Sequence, residues 1–383
     1  MLLSTKDFEL LKLICWCKNI PAPAGTNTNM LYSSKDICNL KSIGLLSQSR
    51  DGKHIRPRSA AYRLLSDAGY NFKQEAKPQT SEAVLRRRNI ASQILFTFFM
   101  AGISVFNDEF NNTIDEPVYI ASFAARARDS GNPFGSTRFY GIFCTAQRAF
   151  LVLYADDIGV YYQKELTLFH SLTEITGIRN TAIIIMGKST SSISATVINA
   201  QKGDKGKKKY NTNSFAQIFE TTTLPVHFIP IGDAGAQILK FLLIPNYREE
   251  IARAILKKNY YPPYEGITDS DTIHVYNNDP RNPAVVAFDM DVNRIDRAVI
   301  NAQNAGFDKI CIYALAEQIP FLKSRYSNTG RADVRGISID NIKRFLSYNI
   351  DLYQPPSTLY VTDEGRCFDV SDITGYRKTG KQN

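Results

Sequence analysis

The apolar run Val285-Val286-Ala287-Phe288 ends in Asp289-Met290-Asp291. Two carboxylates one residue apart at the C-terminal end of a strand are placed to hold magnesium or a phosphate-bearing ligand. The simpler account is a solvated turn in which Asp291 or Asn293 caps the next helix. It is preferred because no lysine or paired-aspartate motif follows to complete a phosphotransfer centre. Asp156-Asp157 is the other acidic pair that a metal-dependent nuclease or phosphotransferase would use. Gly187-Lys188-Ser189-Thr190 has the ending of a phosphate-binding loop, but Ala182 stands where the first glycine is needed. Most of the backbone N–H cradle is then missing, and the segment reads as a strand-end turn. The six cysteines (15, 17, 38, 144, 311 and 367) form no CxxC pair and the four histidines are scattered, which argues against a zinc site. Most of these thiols sit in apolar stretches, as reduced core residues do. No catalytic residue, metal site or cofactor is assigned on these grounds.

The denser signal is positive charge. Residues 1–88 hold fifteen Lys/Arg against seven Asp/Glu, whereas the rest of the chain holds thirty-one against thirty. A surface that displaces counterions from phosphates needs such a local concentration. It gathers around Leu31 to Gly69. Ser33 or Ser34 can cap a helix in which Ile37, Leu40, Ile43 and Leu46 recur as one apolar face. Lys35, Cys38, Asn39, Lys41 and Ser42 fall on the other side. Asp51-Gly52 is a hairpin turn signal, and the arms around it carry Arg50, Lys53, His54, Arg56 and Arg58. Tyr62 to Gly69, with Arg63, closes the segment as a short helix ended by glycine. This is the layout of a winged helix that reads duplex DNA. Asn39, Lys41 and Ser42 are expected at base edges. Lys35, Arg50, Lys53, Arg56 and Arg58 are expected at phosphates, with His54 and Arg63 beside them.

The pattern NLKSIGLL…R…AYRLLSDAG resembles winged-helix proteins that end in Y-R-L-T-x-x-G, with Leu65-Ser66 at the Leu-Thr of that pattern. Among these, a winged helix ahead of a long α/β tail is similar to the replication-relaxation family of plasmid and conjugative-element proteins. The resemblance covers about the first fifth of the chain. It implies a double-stranded DNA ligand, a role in replication, relaxosome or transfer control, and a body that binds a partner, self-associates or touches a second DNA feature. Residues 19–30 depart from the family order, being rich in Pro, Gly and Asn where a further helix is usual.

Around this segment the periodicity predicts a helix over Ser4–Lys18, a linker over Asn71–Ser81 and a long helix over Glu82–Ala101 that contains Arg86-Arg87-Arg88. The three arginines can extend the DNA footprint or be solvated. Strands are expected at 138–144, 149–154, 158–162, 181–186 and 226–230. Helices are expected at 165–176, 215–220, 232–243 and 248–258, with a basic loop at 203–209. That order resembles the restriction-endonuclease-like core, which carries a carboxylate on its second strand and E-x-K on its third. Here the acids are Asp156 and Asp157, and the third-strand position reads Tyr162-Gln163-Lys164. The resemblance therefore implies an inactive relative. A last region alternates strands (284–288, 309–313, 334–338) with helices (293–305, 315–325, 340–346), a parallel α/β unit. Its opening D-x-D resembles haloacid-dehalogenase-type phosphatases, with Asn293 in place of their threonine. The tail from Asp363 is polar and basic. The expected fold is α/β, or α+β overall, in three parts: 1–75, 82–262 and 268–362.

A composition of 44% hydrophobic and 22% charged residues over 383 positions is that of a soluble globular chain. No secretory leader is recognisable, and Ile94–Val105 is too short and broken to span a bilayer. A cytoplasmic protein with no membrane partner is expected.

Overall fold

In the computed structural model the described residues are 3–23, 32–77, 79–108, 116–126, 137–158, 162–175, 178, 180–201, 224–257, 274–276, 279–355, 360–362 and 367–368. The chain is α/β, with helices and both parallel and antiparallel strand pairs. It divides into two compact units, residues 1–100 with 353–383, and residues 101–352. These differ from the expected boundaries in two ways. The helix that begins at Glu82 belongs to the first unit, because its residues from Ile90 onward are almost all buried. The late α/β region shares a unit with the preceding sheet, for a reason given below.

In the first unit, Leu3–Ser4 (β1) leads into Thr5–Cys17 (α1), which is buried on nearly all sides. Ser4 caps α1 by accepting the Asp7 N–H at 3.0 Å. Ile20–Pro21 (β2) follows, then Ser34–Ser42 (α2), Leu46–Gln48 (β3), His54–Pro57 (β4), Ser59–Asp67 (α3) and Glu82–Met100 (α4). The expected hairpin is β3–β4, antiparallel with Gln48 opposite Ile55. β2 adds a third strand to it, Ile20 opposite Ile55. Two residues, one of them a proline, gave no strand periodicity to find. Ser33 and Asp36 form a reciprocal capping box on α2. α2 ends where Gly44, at φ +80°, lets Leu45 N–H reach the Leu40 carbonyl (3.0 Å) and Gly44 N–H reach Lys41 (3.0 Å). Leu40 and Leu45 close that motif in the core, so Ile43, expected on the apolar face, is left 42% exposed.

The second unit opens with Ser104–Asn107 (β5), Val118–Ala121 (β6), Ser122–Arg126 (α5), Gly141–Cys144 (β7) and Arg148–Tyr154 (β8). Tyr162–Ile175 (α6), Asn180–Gly187 (β9), Thr190–Gln201 (α7), Val226–Pro230 (β10), Asp233–Leu242 (α8) and Tyr247–Leu256 (α9) follow. β5 to β10 make one sheet in chain order, with β6, β7 and β8 antiparallel and β8, β9 and β10 parallel. The continuous apolar run of β9 lies between two parallel neighbours, as a strand buried on both faces must. Three strands, a helix and a strand thus occur in the expected order, but from β6 onward. β5 and β6 were not anticipated; a 3-10 turn at Ala155–Asp157 precedes the strand expected at 158–162, whose central residues 159–161 lie outside the described set, and α6 begins at Tyr162. The basic loop 203–209 and the helix expected at 215–220 also lie outside it.

A second sheet follows: His274–Tyr276 (β11), Asp279–Val286 (β12), Val292–Asn304 (α10), Ile310–Ala314 (β13), Ile319–Tyr326 (α11), Ala332–Gly336 (β14) and Ile339–Lys343 (α12). β12, β13 and β14 are parallel and β11 is antiparallel to β12. Back in the first unit, Tyr360–Val361 (β15) pairs antiparallel with β1 and with Cys367–Phe368 (β16). The tail beyond Phe368 is outside the described residues.

The two sheets of the second unit join at the D-x-D motif. After β12 the chain turns through Met290 at φ +49°, and Phe228 N–H of β10 donates to the Met290 carbonyl at 3.1 Å. Asp289 and Asp291 are 1% and 0% exposed. Arg248 donates from Nε to Asp289 and from Nη2 to Asp291, each at 2.8 Å. Arg294, 1% exposed, reaches Asp289 at 3.3 Å and also donates to the Val286 carbonyl. Tyr247 Oη donates to Asp289 at 2.7 Å, and His227 Nδ1 meets the Asp289 carbonyl at 2.8 Å. The expected solvated turn is therefore corrected: Asp291 does cap α10, accepting the Arg294 N–H at 3.2 Å, but inside a buried ion cluster. Burial pushes the Asp289 carboxyl up, and Arg294 and Arg248 more than reverse this, leaving it well below its usual range. Burial holds His227 below its ordinary value despite the two aspartates.

Removing one partner from such a cluster strands a buried charge. Arg248→Met is expected to cost about 3–5 kcal/mol in urea unfolding. Arg248→Met with Asp291→Asn should recover part of that loss. Glu317, just past β13, is pushed up to about 7 by burial. Its folded pKa exceeds the unfolded one, so this contribution is fully present below pH ~4.5 and is lost as pH rises through ~7. Glu317→Gln should flatten the decline in stability between those two pH values, by roughly 3 kcal/mol at most.

Candidate nucleic-acid interface

α2, the β3–β4 hairpin and α3 carry the residues expected to meet DNA. Helical geometry turns 100° per residue, so Lys35, Asn39 and Ser42 share the outward side of α2. All three are exposed. The Asn39 side-chain amide has no partner among the described residues, while the Ser42 hydroxyl donates to the Asn39 carbonyl at 2.7 Å. Ser42 keeps acceptor capacity only. Lys41 is turned away from that stripe and half-buried. Its Nζ donates to Gln48 Oε1 at 2.7 Å, and Gln48 Nε2 donates to the Gly52 carbonyl at 2.8 Å. A chain of side-chain bonds thus runs from α2 to the hairpin tip and holds helix and hairpin in fixed relation. Gln48 was not among the expected residues; its place just before the Asp51-Gly52 turn was the available clue.

The tip is tightly organised. Gly52, at φ +73°, donates to the Ser49 carbonyl at 3.0 Å, and Ser49 Oγ accepts the His54 N–H at 3.0 Å. Asp51 is the one acid of the hairpin. It accepts from Ser49 Oγ at 2.5 Å and Lys53 N–H at 3.1 Å, which holds its carboxyl below the usual range. Spent on the turn, it leaves Arg50 and Lys53 exposed. Arg58 and Arg63, before and on α3, are exposed as well. Among the described residues, none of Lys35, Arg50, Lys53, Arg58 and Arg63 is in an ion pair.

Two expected contacts face inward. His54 is 8% exposed, and Asn89 of α4 donates to its Nδ1 at 3.1 Å. Arg56 donates to the Gln79 carbonyl at 2.8 Å and reaches Asn19 Oδ1 at 3.5 Å. Asn19 in turn donates to Asn89 at 2.6 Å. His54 and Arg56 therefore serve a polar network beneath the hairpin. Side chains two apart in a strand share a face: His54 is buried on it and Arg56 lies half-buried at its edge. On α4, Arg88 grips Glu75 at 2.5 and 2.9 Å.

The acidic candidates offer little to a metal. β7 and β8, the second and third strands of the antiparallel run, contain no carboxylate. Asp156 accepts from Thr196 at 3.3 Å and Asp157 accepts from Tyr140 Oη. Asp289 and Asp291 already hold guanidinium groups, which a cation would have to displace. Among the described residues no group of three or more His, Cys, Asp or Glu is arranged to hold a metal ion. Gly187–Thr190 is a strand-end turn: Ser189 and Ser192 exchange backbone-to-hydroxyl bonds of 2.9 and 3.1 Å at the start of α7. Also among the described residues, no helix is long and apolar enough to cross a membrane.

Cys38 lies on the exposed side of α2, whereas Cys15, Cys17, Cys144 and Cys311 are buried. Burial pushes the Cys144 thiol up to about 12 and Cys311 up to about 11. In a Cys367→Ser background, N-ethylmaleimide should label Cys38 first, and saturating duplex DNA should slow that labelling at least about tenfold, since groove contact excludes reagent. An unchanged labelling rate removes α2 from the interface. Compared with known proteins, the chain matches no protein-family model, no curated protein and no solved structure.

Proposed function

We propose that the first unit binds double-stranded DNA, with α2 in the major groove and the hairpin tip on the neighbouring backbone. The observation that carries this reading is the set of five exposed cations, Lys35, Arg50, Lys53, Arg58 and Arg63, none of them in an ion pair among the described residues, while nearby Arg88 is paired and Arg56 is bonded. Surface cations cost little when paired and gain little by it. Leaving several unpaired around one helix and hairpin suits a polyanion whose counterions they replace. Asn39 is the residue best suited to a base edge, where an amide can bridge adenine N6 and N7.

The resemblance of Asn39–Gly69 to the replication-relaxation family extends the reading to replication, relaxosome or transfer control of a plasmid or other mobile element. Such work takes place in the cytoplasm, where thiols such as Cys15 and Cys144 stay reduced. The second unit would then carry partner or self-association contacts. A nuclease or phosphotransferase role for Asp156, Asp157, Asp289 and Asp291 has less support, because each already has a hydrogen-bond or ion-pair partner.

The test is the salt dependence of duplex binding by the full chain. Five phosphate contacts give a slope of log K against log salt of about −4 to −5. Arg50→Ala, Lys53→Ala and Arg58→Ala together should reduce that slope by about 3, while Arg56→Ala should lower stability and leave the slope nearly unchanged. Binding that is weak at low salt, or a slope that the triple variant does not move, rejects the reading.

A further inference from the structure

Ile43 is the large apolar side chain exposed at the end of α2, and the DNA reading gives it no part. It is 42% exposed, although the helix carrying it has a core face that holds Ile37 and Leu40. The cause is local. Gly44 ends α2 in the left-handed region, Leu40 and Leu45 close the end of the helix from inside, and Ile43 is stranded at the C-cap, the first position past the helix. At 100° per residue, Lys35, Asn39, Ser42 and Ile43 fall within about 100° of the helix circumference. Ile43 stands one turn beyond Asn39, on the same side. The outward stripe of α2 is thus an amide, a hydroxyl and a branched aliphatic group, with the cation Lys35 at its start and the cation Arg58, whose N–H donates to the Leu45 carbonyl at 2.9 Å, next to its end.

One feature of the major groove is apolar: the C5 methyl of thymine. We infer that Ile43 packs against a thymine methyl and, with Asn39 on an adenine, makes the protein select an A·T pair beneath the C-terminal turn of α2. This rests on the DNA reading above. The bordering cations favour a nucleic acid over an apolar protein partner, because they would be desolvated without compensation against an apolar surface.

The test uses the full chain and a random-sequence duplex library, from which bound duplexes are enriched and sequenced. Each thymine of the selected site is then replaced in turn by deoxyuridine, which lacks only the methyl. Loss of one buried methyl should weaken binding about fourfold at one thymine. Ile43→Ala should bind the thymine and deoxyuridine duplexes equally, and Ile43→Val should keep most of the difference. A site with no A·T pair under α2, or equal affinity for every deoxyuridine duplex, overturns the inference while leaving DNA binding intact. A difference that persists in Ile43→Ala overturns it too, since another group then reads the methyl. Failure to enrich any duplex overturns the DNA reading itself. The deoxyuridine series on the unmodified protein decides the matter even if a variant is unstable.

Discussion

Two aspartates and two arginines that share one buried site decide how the second unit is built. Asp289 and Asp291 lie away from water, and their partners are there with them: Arg248 bonds both and Arg294 reaches Asp289, and removing a partner would leave a buried group unpaired. Arg248 comes from α9, after the six-stranded sheet, and the aspartates follow β12 of the four-stranded sheet. The pairing is therefore satisfied only when β10 and the end of β12 lie side by side, as the Phe228–Met290 bond records. A hydrophobic contact would tolerate a slip of one residue. This cluster does not, because a slip would leave an unpaired charge in the interior. The left-handed backbone at Met290 is the local strain accepted to bring both carboxylates to that place.

The first unit uses charge in the opposite way. Its inward polar groups are bonded to one another, through His54, Asn89, Asn19 and Arg56, while Arg50 and Lys53 of the hairpin tip and Lys35 of α2 stay in water. Asp51, the acid of the hairpin, is occupied by the turn it stabilises. One network fixes the hairpin from below and the other surface remains positive. The Lys41–Gln48–Gly52 bonds tie the helix to that hairpin, so any partner meets a preorganised surface.

Long periodic elements were legible in the residues alone. α1, α2, α4, β9, β10 and the alternation from β12 to β14 lie within a few positions of where spacing put them. Some short strands were not. β2 and β6 have two and four residues, too few for a period to register, and they exist because neighbouring backbone needs partners. A brief apolar stretch after Asp156-Asp157 suits a strand or a helix equally; its residues 159–161 lie outside the described set, and α6 begins at Tyr162. Within the interface, the exposed places of Lys35, Asn39, Arg50 and Lys53 followed from helix and turn geometry. The inward turn of His54 and Arg56 did not, because their partners Asn89, Asn19 and Gln79 are distant in sequence.

Sequence by itself determined the α/β class, the gathering of positive charge before residue 88, and the helix–hairpin–helix order from Ser34 to Asp67. These depend on composition and on contacts between residues a few positions apart. Tertiary structure alone decided that Asp289 and Asp291 are buried against arginines, that Ile43 lies outside the core and that two of the expected phosphate contacts serve the interior. Each of those outcomes depends on which surface another part of the chain covers, and burial is a property of the whole fold that no local spacing encodes.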